Sequence, residues 1–306
     1  MKILLAEYAF GAGLEGTLML EGAAMLNTLV ESFSRLGHKV SYLSSGPKLK
    51  TGKAIDSCIE DFEIVLEKEA ARCDAGLVIG PDEMLADFSE IIEDNTTNLG
   101  CSPQSVRECA DKLECTRTLQ SSSINVPRMI TGEYEGLCII KPRFGCASEG
   151  VRLSSCNDVE EECFASEFIK GEHLSVSLIS GKKILPLSVN KQFIEIDTIK
   201  PDSQVSYHGN MVPYRTDYEN ELFAVAADTA RALNCNGFIG IDIVRGEENY
   251  VVDVNPRPTT AIFGLSRTMK AEIGQLLLQN ISGELPEAVD LEGEFSFTKN
   301  DFEDIV

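Results

Sequence analysis

Tryptophan is absent from the 306-residue chain, and histidine occurs three times. Positive charge is scarce: 27 Lys+Arg stand against 49 Asp+Glu, a formal net charge of −22. Nucleic-acid backbones and anionic membrane surfaces are held by clustered positive charge, so neither is expected as a partner. A local basic pocket for phosphate stays open, because the field at a site is set by its neighbours. No apolar run approaches the roughly 18 residues that a membrane-crossing helix needs, so none is expected. The opening Met1–Phe10 stretch carries a short apolar run and then an acid. It is too short for a secretory leader and reads as a first strand. Ten cysteines are present without any Cys-x-x-Cys, and with so few histidines they form no zinc pattern. They read as free thiols in a reducing cytosol, so a cytoplasmic location is expected.

What is present suits a folded chain: 43% hydrophobic and 25% charged residues. Its length suggests two domains, or three small ones. The first hundred residues alternate strand and helix: strand 3–6, helix 18–36 stopped by Gly37, strand 38–43, a loop at 48–53, helix 57–68 and strand 76–80. Such alternation implies a parallel sheet and an α/β class. Beyond about residue 105 the rhythm changes. A helix at 107–120 precedes strands at 138–141 and 151–153, which bracket a glycine-containing loop, and a third strand at 167–169. From Leu174 the chain is strand-rich, with helices near 220–233 and 266–279 and an acidic tail of edge structure from Gly283.

Gly11-Ala12-Gly13-Leu14-Glu15-Gly16 matches a dinucleotide-binding fingerprint literally. Glu15, however, would set a negative charge where pyrophosphate docks. Ser44 and Ser45 stand where the ribose-binding acid belongs. We read the segment as a flexible strand-to-helix loop.

The most informative stretch is 240–258. Two alternating runs flank Gly246-Glu247-Glu248-Asn249, which reads as a hairpin turn. A turn centred between 247 and 248 sets Asp242 opposite Asp253, and the two-residue period puts Asn255 on the same face. Ile241, Ile243, Val252 and Val254 then fall on the core face. Opposed carboxylates repel unless compensated, and a hard cation with oxygen ligands would do so. A solvated face with two unrelated aspartates is the plainer alternative.

Lys141 ends the apolar strand 137–140, where a lysine is buried only with an anionic partner. Gly145, Ser148 and Gly150 follow, a loop able to cradle phosphate with backbone N–H groups. Asp111-Lys112 lies on the preceding helix. Residues 166–173 offer an extended segment for a base edge, then His173 and Glu172 as alternatives for a ribose hydroxyl.

In this order and spacing, Asp111-Lys112, Lys141-Pro142 with the 145–150 loop, Glu167–His173 and the Asp242/Asp253-x-Asn255-Pro256-Arg257 hairpin resemble the ATP-grasp superfamily, specifically its carboxylate–amine ligases. Glu7-Tyr8, the segment 20–26 and the run 171–176 are similar to the archaeal tyramine–glutamate ligases of methanofuran biosynthesis. The resemblance implies an N-terminal parallel-sheet domain (1–105), a small central lid (106–170) and a C-terminal antiparallel-sheet domain with the metal site (171–306). It implies that Lys112 and Lys141 contact ATP phosphates, that the 145–150 loop closes over them, and that Glu167, Phe168 and Ile169 lie at the adenine. Asp242, Asp253 and Asn255 would hold two Mg²⁺ ions, or Mn²⁺ in their place, and Arg257 would steady the transferring phosphate. Two departures stand out. Asp253 replaces the usual Glu of the metal motif, and Gly240 stands where many relatives carry an arginine, a role left to Arg257 or Arg215.

The activity implied is ATP-dependent amide formation through an acyl phosphate, joining L-glutamate and tyramine. A different acid and amine, or a non-catalytic ATP-binding module, are the alternatives. Glu21 is a candidate for a substrate ammonium and Arg215 for a substrate carboxylate. The partners implied are small molecules, with a homodimer as the family-level expectation.

Overall fold

The computed structural model describes residues 1–145, 149–155, 159–198 and 202–305. The first sheet is built from β1 (Lys2–Glu7), β2 (Lys39–Ser44), β3 (Lys53–Asp56), β4 (Ala75–Ile79) and β5 (Thr97–Asn98), all parallel, in the order β3-β2-β1-β4-β5. β1 reads Lys-Ile-Leu-Leu-Ala-Glu and buries all but its first residue, as a central parallel strand covered on both faces must. Its helices are α1 (Tyr8–Ala12), α2 (Thr17–Arg35), α3 (Phe62–Ala70) and α4 (Asp82–Asn95).

The expected parallel sheet is present, with two differences. The Gly11–Gly16 stretch is only in part a loop: Gly11 and Ala12 are helical, and Gly13–Gly16 links α1 to α2. Tyr8–Ala12 forms a helical turn capped by the Glu7 side chain, and Gly13 closes it at φ 81°. A Cβ at Gly11 would meet the Phe62 ring at 2.7 Å, so that glycine serves packing. β3 and α4 also occupy segments in which no such element was expected, because β3 is short and polar and α4 is mostly acidic outside its buried face.

The helix expected at 107–120 is two helices, α5 (Pro103–Ala110) and α6 (Lys112–Ser121). Asp111 caps the second through the Leu113 and Glu114 amides. The middle sheet, antiparallel, orders β12-β8-β7-β9-β6 from β6 (Met129–Ile130), β7 (Cys138–Pro142), β8 (Arg152–Ser154), β9 (Cys163–Glu167) and β12 (Ser203–Gln204). The strand expected at 167–169 is β9, and it ends at Glu167. The third sheet, also antiparallel, orders β15-β14-β10-β11-β13-β16. It holds β10 (Glu172–Ser180), β11 (Ile184–Glu195), β13 (Ser206–Val212), β14 (Gly237–Arg245), β15 (Asn249–Asn255) and β16 (Phe295–Thr298). α7 (Glu219–Ala232), α8 (Ala261–Thr268) and α9 (Ile273–Ser282) accompany it, and a 3-10 helix runs over Lys299–Ile305. The acidic tail does supply an edge strand, β16 pairing β13. His208-Gly209-Asn210 lies inside β13 between β11 and β16.

Two apolar clusters each run from the first sheet into the third. One joins Ile3, Leu5, Leu26 and Phe33 to Phe238, Leu265 and Leu277. The other joins Leu4 and Val78 to Leu174, Ile241 and Val254. The first and third sheets are therefore held by a shared interior, and residues from both line one cleft. Cys58, Cys73, Cys101, Cys109, Cys115, Cys163 and Cys235 are free thiols, as expected, whereas Cys138 is disulfide-bonded. No helix among the described residues is long and apolar enough to cross a membrane.

Candidate active site

The β14/β15 hairpin sets Asp242 directly opposite Asp253 and Gly240 opposite Asn255. Nearer the turn the pairing is Arg245 with Asn249 and Ile243 with Val251, so a bulge separates the two registers. Val252 is the extra residue. It leaves Val251 in the core, where Val252 was expected, and turns Val252 toward the cleft. The Val252 carbonyl accepts a hydrogen bond from Lys141 Nζ at 2.7 Å. A bulge beside a functional hairpin re-aims groups in this way.

Asp242 and Asp253 have different surroundings. Burial, and then the neighbouring Asp253, push Asp242 up to about 7, although Gln192 Nε2 donates to its Oδ1 at 3.1 Å. Burial also acts on Asp253, but Lys112 above all, then Lys141 and Arg257, outweigh it and hold this carboxyl below its ordinary value. Lys112 Nζ lies 3.1 Å from Asp253 Oδ1 and 3.1 Å from Asp82 Oδ2. Burial opposes its charge, yet Asp253 and Asp82 prevail and raise its pKa. Burial lowers that of Lys141.

Asp82, the first residue of α4, is a site residue that the sequence did not reveal. Its Oδ1 sits 3.7 Å from Arg257 Nε, and both atoms are buried without a hydrogen-bond partner. Arg257 lines the cleft and Asp82 stands behind it, so a polar ligand there would meet the arginine first. Lys112 is placed by two ties to the end of β7. Its amide donates to the Arg143 carbonyl at 2.8 Å, and Arg143 Nε donates to Asp111 Oδ1 at 3.2 Å.

The cleft measures about 280 Å³ and gathers Lys112, Lys141, Asp242, Asp253, Asn255 and Arg257. Glu167, Phe168, Ile169 and His173 line it as well, and the Phe168 amide donates to the Leu137 carbonyl at 3.2 Å. Burial lowers the His173 pKa. Of the two ribose candidates, only His173 lines the cleft. Glu172 is tied to Lys191 at 2.7 Å and to the Tyr214 hydroxyl at 2.9 Å, with Tyr218 as a third donor. Gly145 lines the cleft and Gly150 flanks it, both at positive φ. Ser148 lies outside the described residues.

Glu21 also lines the cleft, is buried on α2 and pairs with Lys299 Nζ at 2.9 Å. Tyr207 bonds Thr260 at 2.8 Å, and the buried Asn210 Oδ1 has no partner. The structure does not bring Arg215 here. It is not among the residues lining the cleft and donates to the Leu291 carbonyl at 3.1 Å. At Gly240 a Cβ would meet Thr259 Cγ2 at 2.5 Å, which leaves no room for an arginine. Of the two arginines considered for the cationic role, Arg257 is the one that lines the cleft.

Among the described residues no three His, Cys, Asp or Glu side chains form a ready-made metal cage. Two carboxylates and an amide still suit Mg²⁺, which binds through few protein ligands and completes its shell with water and substrate phosphates. The repulsion that pushes Asp242 up is the feature a dication would relieve.

The ATP-grasp domain family matches residues 109–261. The chain is 30% identical over 297 residues to the tyramine–L-glutamate ligase of Methanocaldococcus fervens, covering 92% of this chain and 94% of that one. It is 28% identical to the Methanocaldococcus jannaschii enzyme of the same name, over 92% of this chain and 90% of that one. Its fold is similar to the crystal structure of an ATP-grasp superfamily protein from Archaeoglobus fulgidus, with a TM-score of 0.77 and 29% identity, covering 94% of this chain and 90% of that one.

Proposed function

The chain belongs to the ATP-grasp family of ligases, and from that premise we propose that it joins the γ-carboxylate of L-glutamate to tyramine, with ATP converted to ADP and phosphate. The observation that carries this reading is the convergence of Lys112, Lys141 and Arg257 on the opposed Asp242 and Asp253 in one cleft. Phosphoryl transfer asks a protein mainly for positioning and charge neutralisation, and these residues offer both.

Lys112 and Lys141 contact ATP phosphates, and Gly145 and Gly150, both at positive φ, let the backbone come close to them. Phe168 and Ile169 pack on the adenine, Glu167 stands beside it, and His173 serves the ribose. Asp242, Asp253 and Asn255 would hold two Mg²⁺ ions, or Mn²⁺, which would supply charge neutralisation for the transferring group. The glutamate carboxylate takes the γ-phosphoryl group, and Arg257 steadies the resulting acyl phosphate. The amine nitrogen then attacks the acyl carbon and phosphate departs. Glu21 receives a substrate ammonium. A cytoplasmic homodimer acting in methanofuran biosynthesis follows from the tyramine assignment and the family resemblance.

The test is ADP release with Mg²⁺ and ATP. It should require both L-glutamate and tyramine and yield a product of the condensed mass. Release with another amine would keep the ligase and discard tyramine. In Asp253→Asn, turnover should fall by about 10²-fold or more while ATP binding is partly kept. Unchanged turnover in that variant would remove the metal assignment.

A further inference from the structure

Amide formation needs a group to take a proton from the attacking amine, and none of the residues assigned above is free to do so. A primary alkylamine has a pKa near ~10 and reaches the site as an ammonium, with no lone pair to attack. Lys112, Lys141 and Arg257 are cations. Asp242 and Asp253 belong to the candidate metal site, and Glu21 is paired with Lys299 at 2.9 Å.

We propose that Glu7 accepts this proton. The proposal rests on the ligase reading. Glu7 ends β1 at the base of the cleft and lines it together with Glu21 and Arg257. It is 5% exposed, and among the described residues no cation forms an ion pair with it. Its Oε2 accepts the Phe10 amide at 2.8 Å, capping α1. Capping alone does not explain the site. A short Asp or Ser would cap as well, and α2 makes room for this larger side chain. A Cβ at Gly22 would lie 2.1 Å from Glu7 Oε2 and 2.3 Å from its Cδ. A glycine inside a helix costs about 1 kcal/mol against alanine, and here it leaves the space that the carboxyl fills.

The charged groups facing Glu7 are Glu21 from α2 and Arg257 from the segment after β15. Burial raises the carboxyl most and Glu21 adds to it. The Phe10 and Ala9 amides and Arg257 pull the other way, and the result is about 7. A base poised there serves proton transfer at neutral pH far better than an ordinary carboxylate.

In the step, the ammonium gives one proton to the Glu7 carboxylate. The freed lone pair forms the C–N bond at the acyl carbon while the C–O bond to phosphate breaks. The second nitrogen proton leaves with the phosphate as hydrogen phosphate, and Glu7 returns its proton to solvent. No oxidant or reductant is involved.

The test compares two nucleophiles in wild type and Glu7→Gln, which keeps an acceptor for the Phe10 amide. Hydroxylamine is largely unprotonated at neutral pH and traps the acyl phosphate as a hydroxamate without a base, whereas tyramine needs one. Glu7→Gln should keep hydroxamate formation within about threefold and lose amide formation by ~10²-fold or more at pH 7. The loss should shrink as pH rises toward the pKa of the amine. Equal loss with both nucleophiles would make Glu7 a structural residue and overturn the proposal, as would no loss with tyramine. Glu7→Asp, with its carboxylate one methylene back, gives the same comparison should Glu7→Gln not fold. It should slow the amide and spare the hydroxamate. Failure of the wild-type protein to form either product from glutamate would instead overturn the ligase reading beneath it, and that failure shows before any variant is made.

Discussion

Glu7 and Asp242 are carboxyls whose burial in the fold opposes their charge. For Glu7 the folded value is about 7 against an ordinary 4.5, so between those pH values the folded protein holds more protons than the unfolded chain. Stability must then fall as pH rises through that window. The share due to Glu7 is up to about 3 kcal/mol. Glu7→Gln should therefore be more stable than wild type at pH 8 and close to it at pH 4, as urea unfolding at the two pH values would report. A variant that lost stability equally at both would show that the capping bond, rather than buried charge, governs the residue. At this scale the sequence was legible where chemistry and chain spacing coincide. Lys112, Lys141, Asp253 and Arg257 meet in the cleft as the family resemblance implied. Asp82 was not legible, because an acid after a proline looks like any helix start. Only the approach of α4 to Lys112, thirty positions away, gives it a role. Arg215 was misplaced for the opposite reason: its residue type suited a carboxylate, but its guanidinium donates to the Leu291 carbonyl, away from the cleft.

The bulge at Val252 shows how an element can defeat counting and still give the expected pair. The turn is centred one half-residue earlier than its residues suggested, and the extra Val252 restores the register before Asp242 and Asp253 are reached. Period-2 reasoning thus placed the carboxylates correctly but sent Val252 to the wrong face. The α5–α6 break was equally hidden, since the apolar spacing runs through Asp111 and only its capping bonds mark a new start. α2 supports a sharper prediction. Gly22→Ala should gain about 1 kcal/mol from helix propensity but lose more, because the new Cβ would sit 2.1 Å from a buried carboxylate oxygen. Thermal unfolding should therefore show net destabilisation. In a Glu7→Ala background the same substitution should become stabilising. If its sign is the same in both backgrounds, the close packing of Glu7 on α2 is not what selects glycine.

The alternating N-terminal segment and the strand-rich remainder announced a parallel sheet and then antiparallel ones, because period and turn residues are local signals. The sheet partners were not announced. β12 leaves its sequence neighbours to extend the middle sheet, and β16 returns from the far end of the chain to pair β13. Such long-range pairings are fixed by burial that no window of sequence records. The 3-10 helix after β16 packs on α2, with Phe302 fully buried beside Phe263 and Phe297. Phe302→Ala should cost about 3–5 kcal/mol. Because the same helix carries Lys299 to Glu21, it should also raise the KM for one substrate more than that for ATP. An unchanged melting temperature would mean that this helix is not part of the shared interior.

The pairing of Lys299 with Glu21 spans 278 positions, since 299 − 21 = 278. On a ribosome, Lys112, Lys141 and the β14/β15 hairpin would emerge well before that pair can form. A nascent chain arrested between Asn255 and Lys299 would carry the hairpin and both cleft lysines without the contact that ties the 3-10 helix to α2.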